Sequence, residues 1–362
     1  MAAIRMSALG KLSRRRFVSR LALLGGALLG LGGCRNGGEP AASGRWAGRS
    51  LLVATAGGAL RQALWRHAFA PFERETGCRV LDLTTPDLVA PLRRQALAGQ
   101  PQWDVVALDA TLVGALGSDG VIDEIDYGRL ERGALGPGLA LDHAVGVLLD
   151  ALAVGYRTDR PTAAPADWAA VCDARTFPGQ RAFPRQAGGL LEAALVGDGV
   201  AREHLYPLDV DRALRALERA RPAVGAWWEK PRQPGELLTL GEVDLAVARR
   251  DELADAIRGG ATASIAPLAT PLLATAWALP RGGRDRDVAH DFLAYTLQPD
   301  VQAALAREGY VPSVPAAREL LDPAESTALP DAPGRDIIAL DLGWWSEFGR
   351  DASERFAAWV SR

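Results

Sequence analysis

Lysine is almost missing from this chain of 362 residues: only Lys11 and Lys230 occur, so nearly all of its 41 basic residues are arginine. A bias that uniform reads as genomic composition rather than as a binding device. Histidine is scarce too. His67, His143, His204 and His290 are scattered, with no His-x-x-x-His or Cys–His spacing, which excludes a recognisable metal centre. No Gly-x-Ser-x-Gly elbow and no Gly-x-x-x-x-Gly-Lys loop is present. With no catalytic constellation, the chain is not expected to be an enzyme, and no cofactor or metal is expected.

The first residues form an address. Arg5, Lys11 and Ser13-Arg14-Arg15-Arg16-Phe17 precede an apolar segment from Val18 to Gly33. A basic start, a short apolar run and small residues make the pattern of a cleaved export signal. The part without interruption, Leu21 to Leu31, is about half the ~20 residues that a spanning helix needs. The paired arginines resemble a twin-arginine signal over residues 1–33, and Leu31-Gly32-Gly33-Cys34 resembles a lipobox that acylates Cys34. A plain secretory signal with an incidental cysteine is the other reading. Without residues 1–33, which hold six basic residues and no acid, the net charge moves from −3 to about −9. Such acidity excludes nucleic acid as a partner, because phosphate binding needs a basic footprint. It also excludes a polybasic membrane surface, so any membrane attachment rests on the lipid anchor alone.

Residues 34–47 are rich in Gly, Ala and Pro and read as a flexible tether. The rest is long enough for two bodies of ordinary domain size. Strands at 51–55, 79–84 and 103–108 alternate with helices at 59–75 and from Thr85 to Leu97, which implies a largely parallel sheet covered by helices. Ligands bind outside the carboxyl ends of such strands, so 56–59, 84–87 and 109–111 should surround one crevice. A second cycle starts near Ala144. Strands are expected at 145–150, 152–156, 180–183, 242–248 and 275–279, and helices at 190–195, 210–220, 287–297 and 344–359.

Several segments together resemble the bacterial extracellular solute-binding proteins of the spermidine/putrescine-binding type. They are Ala70-Pro71-Phe72-Glu73-Arg74-Glu75-Thr76-Gly77, Trp103-Asp104-Val105-Val106, Gly241-Glu242-Val243-Asp244-Leu245, the run Ala289–Leu305, and Glu308-Gly309-Tyr310-Val311-Pro312. The resemblance implies an α/β, two-lobed periplasmic binding protein of type II. Each lobe would be a mixed, mostly parallel sheet flanked by helices, with the ligand cleft between them. Lobe one would comprise 48–147 plus 276–320, and lobe two 148–275 plus 321–362. Cys78 and Cys172 then fall in different lobes, where a bridge would hinder closure, so two separate buried thiols are expected. The implied role is a monomeric lipoprotein of the cell envelope, which captures a small molecule by hinge closure and hands it to an ABC permease and ATPase. A lipoprotein presenting ligand to a sensor, or serving as a scaffold, would have the same lobes.

Ligand identity stays open. Polyamine binders need carboxylates and aromatic faces. At the positions similar to theirs this chain has Ala56-Gly57-Gly58-Ala59-Leu60, Arg249-Arg250-Asp251, Leu273-Ala274-Thr275-Ala276 and Pro184-Arg185-Gln186-Ala187-Gly188. Carboxylates and aromatics are lost there and arginines gained, which suits an anionic or zwitterionic ligand as well as a polyamine. The candidate ligand-binding residues are Gly57, Gly58, Asp109, Arg185, Trp228, Arg249 and Thr275. For Asp109 a helix cap is the competing role, for the arginines a surface position, and for Trp228 a place in the core.

Overall fold

The computed structural model describes residues 44–160 and 163–362. The expected export signal, Cys34 and most of the expected tether lie outside the described residues. The tether expectation fails at its end. Residues 44–47 form a turn, in which the Trp46 backbone N–H donates to the Thr76 carbonyl (2.8 Å) and its indole N–H to Asp291 (3.0 Å). A large aromatic face has more to gain from packing on the core than a Gly/Ala-rich stretch suggests.

Twelve strands are present among the described residues: β1 (Ser50–Thr55), β2 (Arg79–Thr84), β3 (Val105–Asp109), β4 (Ala140–Leu141), β5 (Ala144–Arg157), β6 (Arg181–Pro184), β7 (Val224–Trp228), β8 (Leu245–Arg249), β9 (Ala263–Ile265), β10 (Thr270–Ala278), β11 (Val311–Pro312) and β12 (Ile337–Ala339). Their main path runs β2-β1-β3-β10-β5-β8-β6-β7. β1 is parallel to β2 and β3, and β6 is parallel to β7 and β8. Between these two parallel groups, β10 and β5 run antiparallel. β5 joins the two lobes. Its residues 145–151 pair with β10, and its residues 152–156 pair with β8. What reads in the sequence as two consecutive strands is one strand that changes sheets.

Each lobe has its own aromatic core. In the first, Phe69, Phe72, Trp277 and Phe292 meet at centroid distances of 5.3–6.3 Å. In the second, Trp168, Phe183, Trp345 and Phe356 are buried together. Cys78 belongs to the first core and Cys172 to the second, and both are free thiols. Burial pushes Cys78 up to about 11 and Cys172 up to about 12, so neither is nucleophilic near neutral pH.

The first helix keeps its expected extent but not its regularity. Gly58–Leu64 and Ala70–Thr76 are α-helical, while Trp65–Phe69 between them forms a π-turn. Pro71 has no N–H for the residue-67 carbonyl and its ring would clash there, so one wide turn absorbs the proline. The next helix begins at Val89 rather than Thr85. Pro86 biases its predecessor away from the helical region, and Asp87 caps instead, accepting from the Ala90 N–H (3.1 Å). β7 was not foreseen in the sequence at all.

The C-terminal helix, Leu342–Val360, touches both lobes. Trp345, Phe356 and Trp359 enter the second core, while its backbone lies on the helical segment 110–118 of the first. A Cβ on Gly114 would sit 2.3 Å from the Ser346 carbonyl oxygen. Gly114→Ala should therefore lower unfolding stability by about 1–3 kcal/mol in urea titrations. An unchanged midpoint would contradict this docking.

Candidate functional site

Both lobes direct the carboxyl ends of their parallel strands into one cavity of about 240 Å³. The first lobe contributes Thr55 at the end of β1 and Gly57 just beyond it, Asp87 after β2, Asp109 at the end of β3, and Thr275 of β10. The second contributes Gln186 after β6, Trp228 and Glu229 at the end of β7, and Arg249, Asp251 and Glu252 at the junction of β8 with the helix Arg250–Arg258. A crevice outside strand ends is where open α/β sheets hold ligands.

An ion pair crosses this cavity between the lobes. Arg249 Nη2 donates to Asp109 Oδ2 (3.1 Å), with the two side chains 22 % and 7 % exposed. The other Asp109 oxygen accepts from the Thr111 backbone N–H (3.0 Å) and hydroxyl (2.6 Å). Asp109 thus caps the helical segment and holds the arginine at once, since a carboxylate has two oxygens to share. A second inter-lobe bond runs from the Ala59 N–H to Glu252 Oε1 (2.9 Å).

Of the residues expected at the site, Gly57, Asp109, Trp228, Arg249 and Thr275 line the cavity. Trp228 is fixed by its indole N–H, which donates to the Val247 carbonyl (2.8 Å), whereas Trp227 packs on Phe356 and Trp359 in the core. Gly58 stands behind the wall, where an added Cβ would lie 1.8 Å from Glu252 Oε1. Arg185 is exposed and turned to Glu229 (3.2 Å) and the Ser361 hydroxyl (3.4 Å); it does not line the cavity.

The expected loss of carboxylates does not hold for the cavity as a whole. Asp87, Asp109, Glu229, Asp251 and Glu252 line it beside a single arginine. Comparing motif positions one by one hides this, because Asp251 and Glu252 follow immediately after Arg249-Arg250 on the first turn of the helix. Burial, then the neighbouring Asp251, pushes Glu252 up to about 7. Asp150 lies on β5 where that strand changes sheets; it is fully buried, and burial, then Asp251, raises its carboxyl well above the usual range. Tyr310 donates to Asp251 Oδ2 (2.5 Å), and burial, then Asp251, raises its phenol.

Three buried donors on the cavity wall have no partner: Thr55 Oγ1, Gln186 Nε2 and Arg249 Nη1. Asp150 Oδ2 is also unpartnered. Unsatisfied buried polar groups are rare in folded proteins and call for an explanation. The sequence signal for Thr55 was its position as the last residue of a strand that opens on the crevice. Among the described residues, no group of three or more His, Cys, Asp or Glu side chains could hold a metal ion, and no helix is long and apolar enough to cross a membrane.

Two α/β lobes joined by a shared strand, with charged and unpaired polar groups facing a small cavity between them, define a small-molecule receptor of the periplasmic-binding-protein fold. The chain belongs to the bacterial extracellular solute-binding proteins, whose family model matches residues 67–334. It is 29 % identical over 323 residues to a γ-aminobutyric acid-binding protein of Pseudomonas aeruginosa, covering 87 % of this chain and 92 % of that one. A crystal structure of an ABC transporter substrate-binding protein from Bradyrhizobium japonicum is similar at 29 % identity and a TM-score of 0.79, covering 86 % of this chain and 99 % of that one. The structure of a GABA receptor is similar at 27 % identity and a TM-score of 0.74, covering 86 % and 97 %.

The close approach at Gly58 is directly testable. Its φ of +72° already disfavours any side chain, and a methyl group would displace Glu252 from the Ala59 N–H. Gly58→Ala should lower ligand-free stability by about 1–2 kcal/mol, the left-handed backbone cost. It should also hold the lobes apart, seen as a larger radius of gyration in X-ray scattering. An unchanged radius would contradict the contact.

Proposed function

We propose that this protein is the substrate-binding component of an ABC importer, and that its ligand is a small amino-acid zwitterion of the γ-aminobutyric acid kind. The observation that carries this reading is the set of unpaired donors on the cavity wall. Thr55 belongs to one lobe, and Gln186 and Arg249 to the other, so a carboxylate bound by all three would favour the closed form. Arginine suits this role because its fork presents a second N–H after the first is committed to Asp109. The cavity acids suit an ammonium group, and the Trp228 ring suits an aliphatic chain.

The volume agrees with a small solute, since 240 Å³ lies under the roughly 300–1,000 Å³ of sites for drug-sized ligands. The relatives that bind γ-aminobutyric acid support the same chemistry. The polyamine-type resemblance fits the acids but leaves the three donors unexplained. Lobe boundaries of 48–147 plus 276–320 and 148–275 plus 321–362 accompany this reading, with β5 as the principal crossing. So do export, anchoring through Cys34 and delivery of the ligand to a membrane permease.

Thr55→Val tests the assignment with little risk to the fold, because it removes a hydroxyl that bonds to nothing in the ligand-free protein. Its thermal midpoint should match or exceed that of the wild type. Its affinity for GABA should fall by about 1.5–3 kcal/mol, the worth of a hydrogen bond to a charged group. In a thermal-shift screen, ligand at a hundredfold its Kd should stabilise the wild type by about 2.7 kcal/mol. A shift with putrescine and none with GABA would overturn the amino-acid reading and favour a polyamine.

A further inference from the structure

We propose that Asp251 and Glu252 form the cation subsite of this cleft, and that a bound ammonium group displaces a proton from Glu252. The inference deepens the amino-acid reading, because it states where the positive end goes and what it replaces.

The geometry begins with crowding. Asp251 and Glu252 are consecutive on the first turn of the helix Arg250–Arg258, and both line the cavity. Asp150 approaches Asp251 from β5, fully buried, with one oxygen accepting from the Ala151 N–H (2.8 Å) and the other without a donor. Asp251 thus has Asp150 as one acidic neighbour and Glu252 as another, while Arg249, near Asp150 and Asp251, already serves Asp109. A buried carboxyl beside a like charge is held towards its neutral form until a cation joins it. The other charged and titratable groups facing these acids are Tyr310, which donates to Asp251, and Arg232 and Asp255, which flank Glu252 with opposite signs. Arg232 is exposed, so its charge is largely screened.

A separate observation marks this as a place for a ligand. Thr55, 2 % exposed and lining the same cavity, carries a hydroxyl without any partner. It lies four residues before Ala59, whose N–H holds Glu252. A ligand reaching Thr55 with its carboxylate therefore enters the cavity whose wall includes both acids.

The sign of the effect follows from linkage. In the ligand-free protein Glu252 titrates at about 7, above its usual 4.5, because it is buried beside Asp251. Its stabilising contribution is thus complete below about 4.5 and is lost as pH rises through 7. An ammonium group beside it favours the ionised form and lowers that midpoint. Binding between about pH 5 and 7 then releases a proton to the buffer, and affinity falls as pH falls, by up to about tenfold per unit for one proton.

Isothermal titration of the purified protein with GABA and separately with putrescine, at pH 5.5, 6.5 and 8 in buffers of different ionisation enthalpy, tests this. The two probes share an ammonium group, but only GABA has a carboxylate. Release of up to one proton at the lower pH values, vanishing at pH 8, by whichever probe binds, is the expected result. Glu252→Gln should weaken binding at pH 8 and flatten the pH dependence. Binding without proton release and with equal affinity at all three pH values would overturn the subsite while leaving the amino-acid reading intact. GABA inactive with putrescine bound and releasing a proton would overturn the amino-acid reading while keeping the subsite. Binding of neither would overturn both.

Discussion

A guanidinium group at the seam between two lobes cannot be left without a counter-charge, and this constraint organises the centre of the molecule. Arg249 closes the second-lobe strand β8 and finds its partner, Asp109, at the end of the first-lobe strand β3. Removing Arg249 would leave the Asp109 charge buried and uncompensated, a loss of about 3–5 kcal/mol for a buried pair. The pair therefore fixes which strand ends face one another, and with them the identity of the cavity wall. It also leaves the second Arg249 amino group unbonded and two further carboxyls, Asp150 and Asp251, close by.

Two continuous pieces of chain accompany that pair. β5 belongs to both sheets, so the lobes share a backbone rather than merely touching. The C-terminal helix lies on the segment that Asp109 caps, and it buries Trp345, Phe356 and Trp359 in the opposite core. A change at the Asp109–Arg249 contact is thereby felt by the cap, the helix lying over it and the second core. This offers a physical route by which a small ligand could bias the relation of two large bodies, because closely packed elements do not deform continuously.

Much of this was legible in the sequence, and for identifiable reasons. Strand–helix alternation with short connections located β1, β2, β3 and β8 to within a few residues, because apolar runs bounded by Gly, Pro and Asp carry a strong periodic signal. The rule that ligands gather at strand ends then drew attention to Gly57 and Asp109, and the family resemblance to Arg249. What escaped was set by tertiary contact. The half-buried strand β7 reads as loop, and its two tryptophans face different environments that only packing decides. Arg185 carries the right chemistry, but its neighbours Glu229 and Ser361 draw it to the surface. Asp150 sits inside an apolar run, and nothing local reveals that it meets residues a hundred positions away. Thr55 is a polar residue at the end of a strand, and only the absence of any partner sets it apart.

The most direct measurement is a crystal structure of the protein with GABA bound. The account predicts the carboxylate within hydrogen-bonding distance of Arg249 Nη1 and Thr55 Oγ1, the aliphatic chain along Trp228, and the ammonium group against Asp251 and Glu252. A ligand bound in the reverse sense, with its ammonium on Asp109 and its carboxylate away from Arg249, would contradict it, as would a fully occupied site elsewhere on the protein.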